Sequence, residues 1–209
     1  MTEPTDDVLG MSVRDFAAAT AAKTPTPGGG SVAAVVGALG TALGEMALHF
    51  TRGKKKFAAH EEVYAALDAR LARARGMFED LVADDMAAYG LYARTSKQPD
   101  GPDKGEALQI ATAAAIDVPR QVAKLCLAVL HDLRALADKV NPWLATDLLA
   151  AAALAAATCR LCDYNVRVNA PQLSEAQAAA DIRAASTADL QRADALRAEI
   201  EAVGGAHLD

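Results

Sequence analysis

Residues 32–50, VAAVVGALGTALGEMALHF, are a 19-residue apolar stretch with one carboxylate, Glu45, and one histidine, His49. The length suits a membrane-spanning helix, but alanine and glycine outnumber leucine and isoleucine in it, so its insertion into a bilayer would be marginal. We interpret the stretch as a helix that is buried in a bundle. The second apolar run, Leu148 to Ala157, is too short to span a membrane.

The composition of the whole chain also indicates helices. The 209 residues include 51 alanines, whereas aromatic residues make up 4% and glycine and proline total 22. Strands need β-branched and aromatic residues, so this mixture favours closely packed helices. A net charge of −6 argues against nucleic acid as the main partner. Three cysteines make no disulfide framework and the acidic N-terminus is no leader, so we expect a cytoplasmic protein.

Capping signals and breakers divide the chain into six predicted helices. The first begins at Ser12, capped together with Asp15, and ends near Lys23. Pro119 should kink or split the fourth helix. The other five are predicted at residues 31–51 (capped by Ser31), 60–95, 104–138, 143–168 and 174–203 (capped by Ser174). We predict one all-α bundle over residues 1–209, with 1–11 flexible and an apolar stripe that closes in a homodimer.

The turn before the second helix, PTPGGGS at residues 25–31, is the most unusual local feature. Three glycines free backbone N–H groups to point at a ligand, and the helix N-terminus favours a carboxylate, a phosphate or a ring carbonyl. The spacing is not that of a P-loop. The alternative is a tight turn whose helix uses its glycines for close packing. The candidate binding residues are Pro27, Gly28, Gly29, Gly30 and Ser31.

A basic turn follows the second helix, with lysines at positions 54, 55 and 56. Lysines at a helix C-terminus satisfy its last carbonyl groups and its dipole, and that role accounts for one of them. Three in a row make an anion site plausible. We therefore take Lys54, Lys55 and Lys56 as candidates for contact with an anionic group.

Asp84 and Asp85 lie among mostly apolar residues of the third helix. Adjacent helical residues point about 100° apart, so one carboxylate can face solvent while the other faces the bundle. An inward aspartate would have a raised pKa and could act as a general acid or base. The alternative is a solvated pair of carboxylates.

The fifth helix carries a third polar group of residues. Asp147 and Asn165 are separated by about five whole helical turns, so they share one face with Asn169 one turn further on. Asn141 lies just before the helix. Polar groups on an apolar face need partners, so they bond a heteroaromatic ligand or each other. The alternative is a buried polar seam that sets the register of the helices.

Two other patterns predict no chemistry. Glu45 and His49 have a spacing that can bind a metal, but two ligands are too few and the other histidines fit no pattern, so we predict no metal site. Cys159 and Cys162 form a C-x-x-C inside a helix without a second pair, and we expect both to pack in the core.

In their order along residues 12–170, these motifs resemble the methenyltetrahydrofolate cyclohydrolases, which share a fold with the cyclodeaminase domain of formiminotransferase-cyclodeaminase. The resemblance implies an all-helical homodimer that binds a reduced folate, without another cofactor and without nucleic acid or membrane. The glycine turn, the lysine turn, Asp85 and the Asp147–Asn165 face would line its groove. Two departures near Asn141 predict a reshaped turn, since Val140 replaces a usual glycine and Pro142-Trp143 is unusual. The resemblance is carried by residues 25–31, 37–40, 53–57, 82–85 with Tyr89, 117–119, Asn141 with Asp147, and 164–166 with Asn169.

The resemblance implies hydrolysis of 5,10-methenyltetrahydrofolate to 10-formyltetrahydrofolate. Asp85 is the first candidate for the base and Asp147 the second, with Lys55 or a neighbouring lysine as a point charge on the pteridine carbonyl or the glutamate tail. The rival is cyclodeamination of 5-formiminotetrahydrofolate in the same site. Only about eleven residues lie before the first predicted helix, so we expect no transferase domain there, and this expectation favours the cyclohydrolase. Another folate or pterin enzyme and a non-catalytic helical dimer are the remaining alternatives.

Overall fold

The computed structural model of the protein describes residues 7–207, and those residues form helices and turns without a strand, as predicted. Five short 3₁₀ turns accompany the helices, at Val8–Gly10, Lys55–His60, Pro142–Leu144, Ala170–Gln172 and Gly205–His207. The six helices are α1 Val13–Ala21, α2 Gly29–His49, α3 Glu61–Ser96, α4 Lys104–Leu136, α5 Ala145–Asn169 and α6 Ala176–Gly204.

Helix starts agree with the capping signals in one case of three. Ser12 caps α1 as predicted, since its Oγ accepts the N–H of Asp15 at 3.1 Å. The prediction that Ser31 caps α2 is wrong, because the helix begins at Gly29 and Ser31 lies buried inside its first turn. The prediction that Ser174 caps α6 is also wrong, since Glu175 is the N-cap residue and makes no side-chain capping bond.

Pro119 does not split α4, which runs unbroken from Lys104 to Leu136. The ring of Pro119 is buried against the bundle. Packing against neighbouring helices therefore compensates for the backbone hydrogen bond that a proline removes.

The helices α2, α3, α4 and α5 form a ring in which each packs against the next, and α6 covers α5 and α4. Close approach across this ring depends on small residues. A β-carbon on Gly37 would lie 2.6 Å from the ring of Phe78, and one on Gly44 would lie 2.6 Å from Leu133. The glycines of α2 thus serve helix packing, which was the alternative interpretation of this stretch.

Two helical stretches, Gly29–His49 and Pro142–Gln172, are long and apolar enough to cross a membrane by length and composition. The second is longer than its apolar sequence run, so the expectation that it was too short to span is wrong. Most of the first and nearly half of the second are buried in the bundle, which is the position of core helices.

The N-terminal segment joins the fold before Ser12, because Val8 is buried in the core. Of the segment that we predicted to be flexible, residues 1–6 lie outside the described part of the chain.

Candidate functional site

A cleft of about 260 Å³ opens at the end of the bundle where α2 begins. Two other surface pockets, of about 590 and 440 Å³, lie elsewhere on the described part of the chain. Neither is lined by a predicted site residue. The cleft is lined by Pro25, Thr26, Gly28, Gly29, Gly30, Asp85, Ala88, Tyr89, Tyr92, Ala115, Asn165 and Asn169.

Asp85 lies at the N-terminus of α2. The hydroxyl of Ser31 donates to Oδ2 of Asp85 at 2.7 Å, and the backbone N–H of Ser31 donates to the same carboxylate. A helix N-terminus stabilises negative charge, so the first turn of α2 holds this carboxylate. The glycine turn was predicted to offer its donors to a ligand; part of that capacity is used by Asp85 instead.

The two aspartates of α3 point in different directions, as helical geometry allows. Asp84 is exposed, whereas Asp85 is partly buried and faces the cleft. Burial raises the pKa of Asp85 above its ordinary value, and the two hydrogen bonds from Ser31 oppose part of that rise. A carboxyl group with a raised pKa, held by fixed donors beside a cleft, is suited to proton transfer.

Two tyrosines that sequence reasoning did not assign to the site form a wall of the cleft. Tyr89 and Tyr92 follow Asp85 on α3 by four and seven residues, which places all three on one face of the helix. The same spacing in the sequence could have identified them. Their rings offer flat apolar surfaces on which a planar ligand can stack.

Asn165 and Asn169 line the cleft from α5, as the sequence predicted. The amide nitrogen of Asn165 donates to the carbonyl of Leu161 at 3.0 Å, and that of Asn169 donates to the carbonyl of Ala115 at 3.3 Å. Neither side-chain oxygen accepts a hydrogen bond from the described residues. Both oxygens are therefore available for the N–H groups of a ligand.

Pro27 and Ser31 lie behind the cleft surface rather than on it. Pro27 is buried between the more exposed residues of the turn, and Ser31 is fully buried against Asp85. Gly28, Gly29 and Gly30 form the edge of the cleft. Of the five predicted residues in this turn, three can touch a ligand and one acts through Asp85.

The lysine turn lies at the opposite end of the bundle from the cleft. The 21 residues of α2 separate the glycine turn from it, a distance of about 30 Å along the helix axis. Lys54, Lys55 and Lys56 are exposed there. The prediction that both turns line one groove is therefore wrong for a single protomer.

Asp147 and Asn141 also lie at this far end. About five turns of α5, or about 27 Å, separate Asp147 from Asn165, so the shared face does not bring them together. Asn141 is buried; its Nδ2 donates to the carbonyl of Phe50 at 3.3 Å and its Oδ1 accepts the N–H of Trp143 at 3.4 Å. These bonds shape the turn around Pro142, so within one protomer Asn141 is a structural residue.

Glu45 and His49 each contact a different partner, Glu45 in an ion pair and His49 in a hydrogen bond. Glu45 is buried and accepts from Nε of Arg75 at 2.7 Å, whereas His49 is exposed and contacts Asp68 at 2.7 Å. The residues that the structure describes contain no cluster of side chains able to hold a metal ion.

All three cysteines are free and buried, as expected for the C-x-x-C pair. Burial raises the pKa of the Cys159 thiol to about 12. The thiol is therefore protonated at neutral pH and has little nucleophilic character.

Comparisons with known proteins agree with this architecture. The family model described as formiminotransferase-cyclodeaminase matches residues 12–188. The chain is 34% identical over 174 residues to a methenyltetrahydrofolate cyclohydrolase of Methylorubrum extorquens, covering 78% of this chain and 81% of that protein. It is 31% identical to the mouse formimidoyltransferase-cyclodeaminase, covering 71% of this chain but only 28% of that larger protein.

The solved structures include a similar fold. The crystal structure of a formiminotetrahydrofolate cyclodeaminase from Thermotoga maritima superimposes with a TM-score of 0.89 and 28% identity. The match covers 97% of this chain and all of that one.

Proposed function

The chain belongs to the formiminotransferase-cyclodeaminase family, and from that premise we propose that it is a methenyltetrahydrofolate cyclohydrolase, which hydrolyses 5,10-methenyltetrahydrofolate to 10-formyltetrahydrofolate. The observation that carries the proposal is the carboxylate of Asp85, partly buried in the cleft with a raised pKa and fixed by two donors of Ser31. A cationic substrate and an attacking water both need such a group.

The reaction needs a group that accepts a proton from the attacking water and then donates it to N5 of the adduct. The substrate carries a one-carbon bridge between N5 and N10 as an amidinium cation. Ionised Asp85 accepts a proton from the water that attacks this carbon. The neutral adduct then takes that proton at N5 as the carbon–N5 bond breaks. The hydroxyl proton leaves to solvent and the formyl group remains on N10.

The cleft supports binding of a planar heterocycle. Tyr89 and Tyr92 offer ring faces for stacking, and the side-chain oxygens of Asn165 and Asn169 can accept from the N–H groups of a pterin edge. Asp85 would lie below the cationic carbon and stabilise its charge in a site partly shielded from water.

Cyclodeamination is the second candidate, because the Thermotoga maritima cyclodeaminase matches almost the whole chain. In that reaction N10 attacks the formimino carbon of 5-formiminotetrahydrofolate and ammonia leaves, so no water enters. Asp85 could protonate the departing nitrogen in place of activating water. The cyclohydrolase matches at 34% identity over 174 residues and 81% of its own length, whereas the mouse formimidoyltransferase-cyclodeaminase matches at 31% over 154 residues and 28% of its length, which favours hydrolysis as the main activity.

We also propose that the enzyme is a homodimer that pairs through α2 and α5. The two helices pack side by side and expose Leu39 on α2 together with Tyr164 and Val168 on α5. Glu45 is the one carboxylate of α2, which has no lysine or arginine, and its side chain is buried. Exposed apolar side chains on two neighbouring helices without exposed charge on α2 are a feature of protein–protein interfaces.

An antiparallel pair of α2 helices would bring the far-end residues to the cleft. The lysine turn of one protomer would then lie near the glycine turn of its partner, because the two turns are at opposite ends of α2. The cleft of one protomer is lined by no lysine or arginine among the described residues, whereas a folate carries carboxylates on its glutamate tail. Lys54, Lys55 and Lys56 of the second copy would supply that charge, and Asp147 would approach the site in the same way.

The test is an assay of purified protein with 5,10-methenyltetrahydrofolate, followed by its absorbance in a buffer where spontaneous hydrolysis is slow. The proposal expects catalysed loss of the substrate by the wild-type protein and a rate lower by about 100-fold or more with Asp85→Asn. A parallel assay with 5-formiminotetrahydrofolate and ammonia detection distinguishes the second candidate. Tight folate binding without either turnover would show a binding protein instead.

A further inference from the structure

Behind the tyrosine wall, three side chains form a hydrogen-bonded group that we call the latch: Tyr92, Gln109 and Gln172. The hydroxyl of Tyr92 on α3 donates to Oε1 of Gln172 at 2.6 Å. The side chain of Gln109 on α4 makes two bonds to the same turn, donating to the carbonyl of Gln172 at 3.1 Å and accepting the N–H of Ser174 at 2.8 Å. Three separate elements are thus joined at one point.

The latch holds the turn that follows Asn169. This turn, Ala170–Gln172, continues α5 as a short 3₁₀ helix. Ala170 is buried against Ile116 and anchors the inner side of the turn, whereas Gln172 is exposed on its outer side. The latch is therefore the attachment of the outer side, and it fixes the backbone immediately after a cleft residue.

Two residues that line the cleft depend on this attachment. Tyr92 uses its only hydroxyl in the latch, which fixes the orientation of its ring. Asn169 lies three residues before Gln172 and bonds the backbone of α4 at Ala115, so α4 holds both ends of the segment. The width between the tyrosine wall and the asparagine wall is consequently set by contacts outside the cleft.

We propose that Gln109 and Gln172 are positioning residues for substrate binding, acting through Tyr92 and Asn169. The inference rests on the proposed folate reaction in this cleft. Asp85 is held separately by Ser31, two helical turns from Tyr92 and about 10 Å along the helix. Loss of the latch therefore changes the binding walls without moving the proton-transfer group, so KM rises while kcat is kept.

The experiment compares Gln172→Met with Gln172→Glu. Both variants lose the donation of Nε2 to the carbonyl of Val168 at 3.4 Å, but only Gln172→Glu keeps the acceptor for the hydroxyl of Tyr92. Gln172→Met should raise KM for 5,10-methenyltetrahydrofolate by about 3- to 10-fold, the effect expected for one lost hydrogen bond, with kcat within about twofold. Gln172→Glu should restore KM to near the wild-type value. Tyr92→Phe and Gln172→Met both remove the bond between these two side chains, so the double variant should lose clearly less than the sum of the two single variants.

Gln98→Met is the matched control, because Gln98 is exposed just after the end of α3 and makes no side-chain bond to the described residues. Three results would each contradict the proposed role of the latch. They are an unchanged KM in Gln172→Met, a fall in kcat at constant KM, and additive losses in the double variant. Wild-type protein without any turnover would overturn the proposed function itself, and the latch's role with it. Circular dichroism melts of every variant establish that each protein is folded.

Discussion

Gly30 and Asp85 approach so closely that a β-carbon on Gly30 would lie 1.9 Å from Oδ1 of the aspartate. Only hydrogen fits at this position of the first turn of α2. The carboxylate of Asp85 can therefore reach the N-terminus of α2 because residue 30 has no side chain, and the hydroxyl of Ser31 donates to it there. Glycine at residue 30 is a requirement of the proton-transfer group as much as of the turn.

Gly30→Ala should consequently lower activity. The methyl group must displace the carboxylate of Asp85 or the first turn of α2, and catalysis is sensitive to shifts of about 1 Å. We expect kcat/KM to fall by about 10- to 100-fold. Gly76→Ala is the control, because Gly76 lies within α3 with open space around its missing β-carbon. It should keep full activity and gain up to about 1 kcal/mol of stability.

Asp85→Asn should remove the base and lower kcat by about 100-fold or more. Asp84→Asn changes the neighbouring exposed carboxylate and should leave kcat near the wild-type value. The assay is substrate loss under saturating 5,10-methenyltetrahydrofolate. Equal losses in the two variants would indicate a general charge effect and would remove Asp85 from its role.

The raised pKa of Asp85 also predicts an effect on stability. Burial disfavours the ionised form, so the free energy of unfolding falls as pH rises from the unfolded pKa through the higher folded pKa. Above the folded pKa the wild-type protein carries this full cost, whereas Asp85→Asn does not. Thermal melts should show the variant to be more stable at pH 7, with the difference disappearing below the unfolded pKa.

Ser31→Ala should shift the pH dependence of the reaction. Ser31 opposes the rise in the pKa of Asp85 through its hydroxyl and its N–H, and alanine keeps only the N–H. The pKa of Asp85 should rise further, so the fall of kcat/KM on the acid side should begin at a higher pH. A pH profile that remains at the wild-type position would show that the hydroxyl does not influence the base.

The sequence predicted the elements of this fold well, because its helices are long and its breakers are clear. Glycine and proline turns mark helix ends that differ from the structure by a few residues. Helical geometry allowed one of the adjacent residues Asp84 and Asp85 to face inward, and the family resemblance made Asp85 the first candidate for the base. Capping serines were less reliable, since Ser31 is used by a distant carboxylate rather than by its own helix.

The predicted set of site residues was wrong where residues on one face of a helix were assumed to lie close together. Asp147 and Asn165 do share a face of α5, but the rise of about five helical turns places them at opposite ends. The same arithmetic applied to α2 separates the glycine and lysine turns. The latch residues could not have been predicted, because Gln109 and Gln172 are brought together only by tertiary packing of α4 against the end of α5.

Because Glu45 forms an ion pair with Arg75 and no metal site is predicted there, breaking the pair should lower the stability of the fold. Arg75→Met would leave the buried carboxylate of Glu45 without its donor. Because Arg75 is itself partly exposed, we expect a loss of about 1–3 kcal/mol in the free energy of unfolding, measured by urea denaturation. Arg73→Met, at an exposed site two residues earlier on the same helix, should change it by less than about 0.5 kcal/mol.

Complementation between two inactive variants tests the proposed dimer. One variant is Asp85→Asn and the other replaces Lys54, Lys55 and Lys56 by alanine. If the lysines act on the partner's cleft, a mixed dimer contains one site with both the carboxylate and the lysines intact. Random exchange of an equal mixture then gives about half mixed dimers with one good site of two, or about a quarter of wild-type activity.

A site formed within one protomer gives a different result. Every cleft in the mixture would then retain its own defect, and activity would stay at the mean of the two variants. Lys97→Ala, at an exposed lysine after α3, serves as the control in place of the lysine-turn variant. Mixed with Asp85→Asn, it should give about half of wild-type activity. Every Lys97→Ala protomer keeps both its own Asp85 and access to an intact lysine turn, whichever protomer it pairs with. The size of the recovered activity therefore tells whether the basic turn, at the far end of α2 from the cleft, belongs to the neighbouring site.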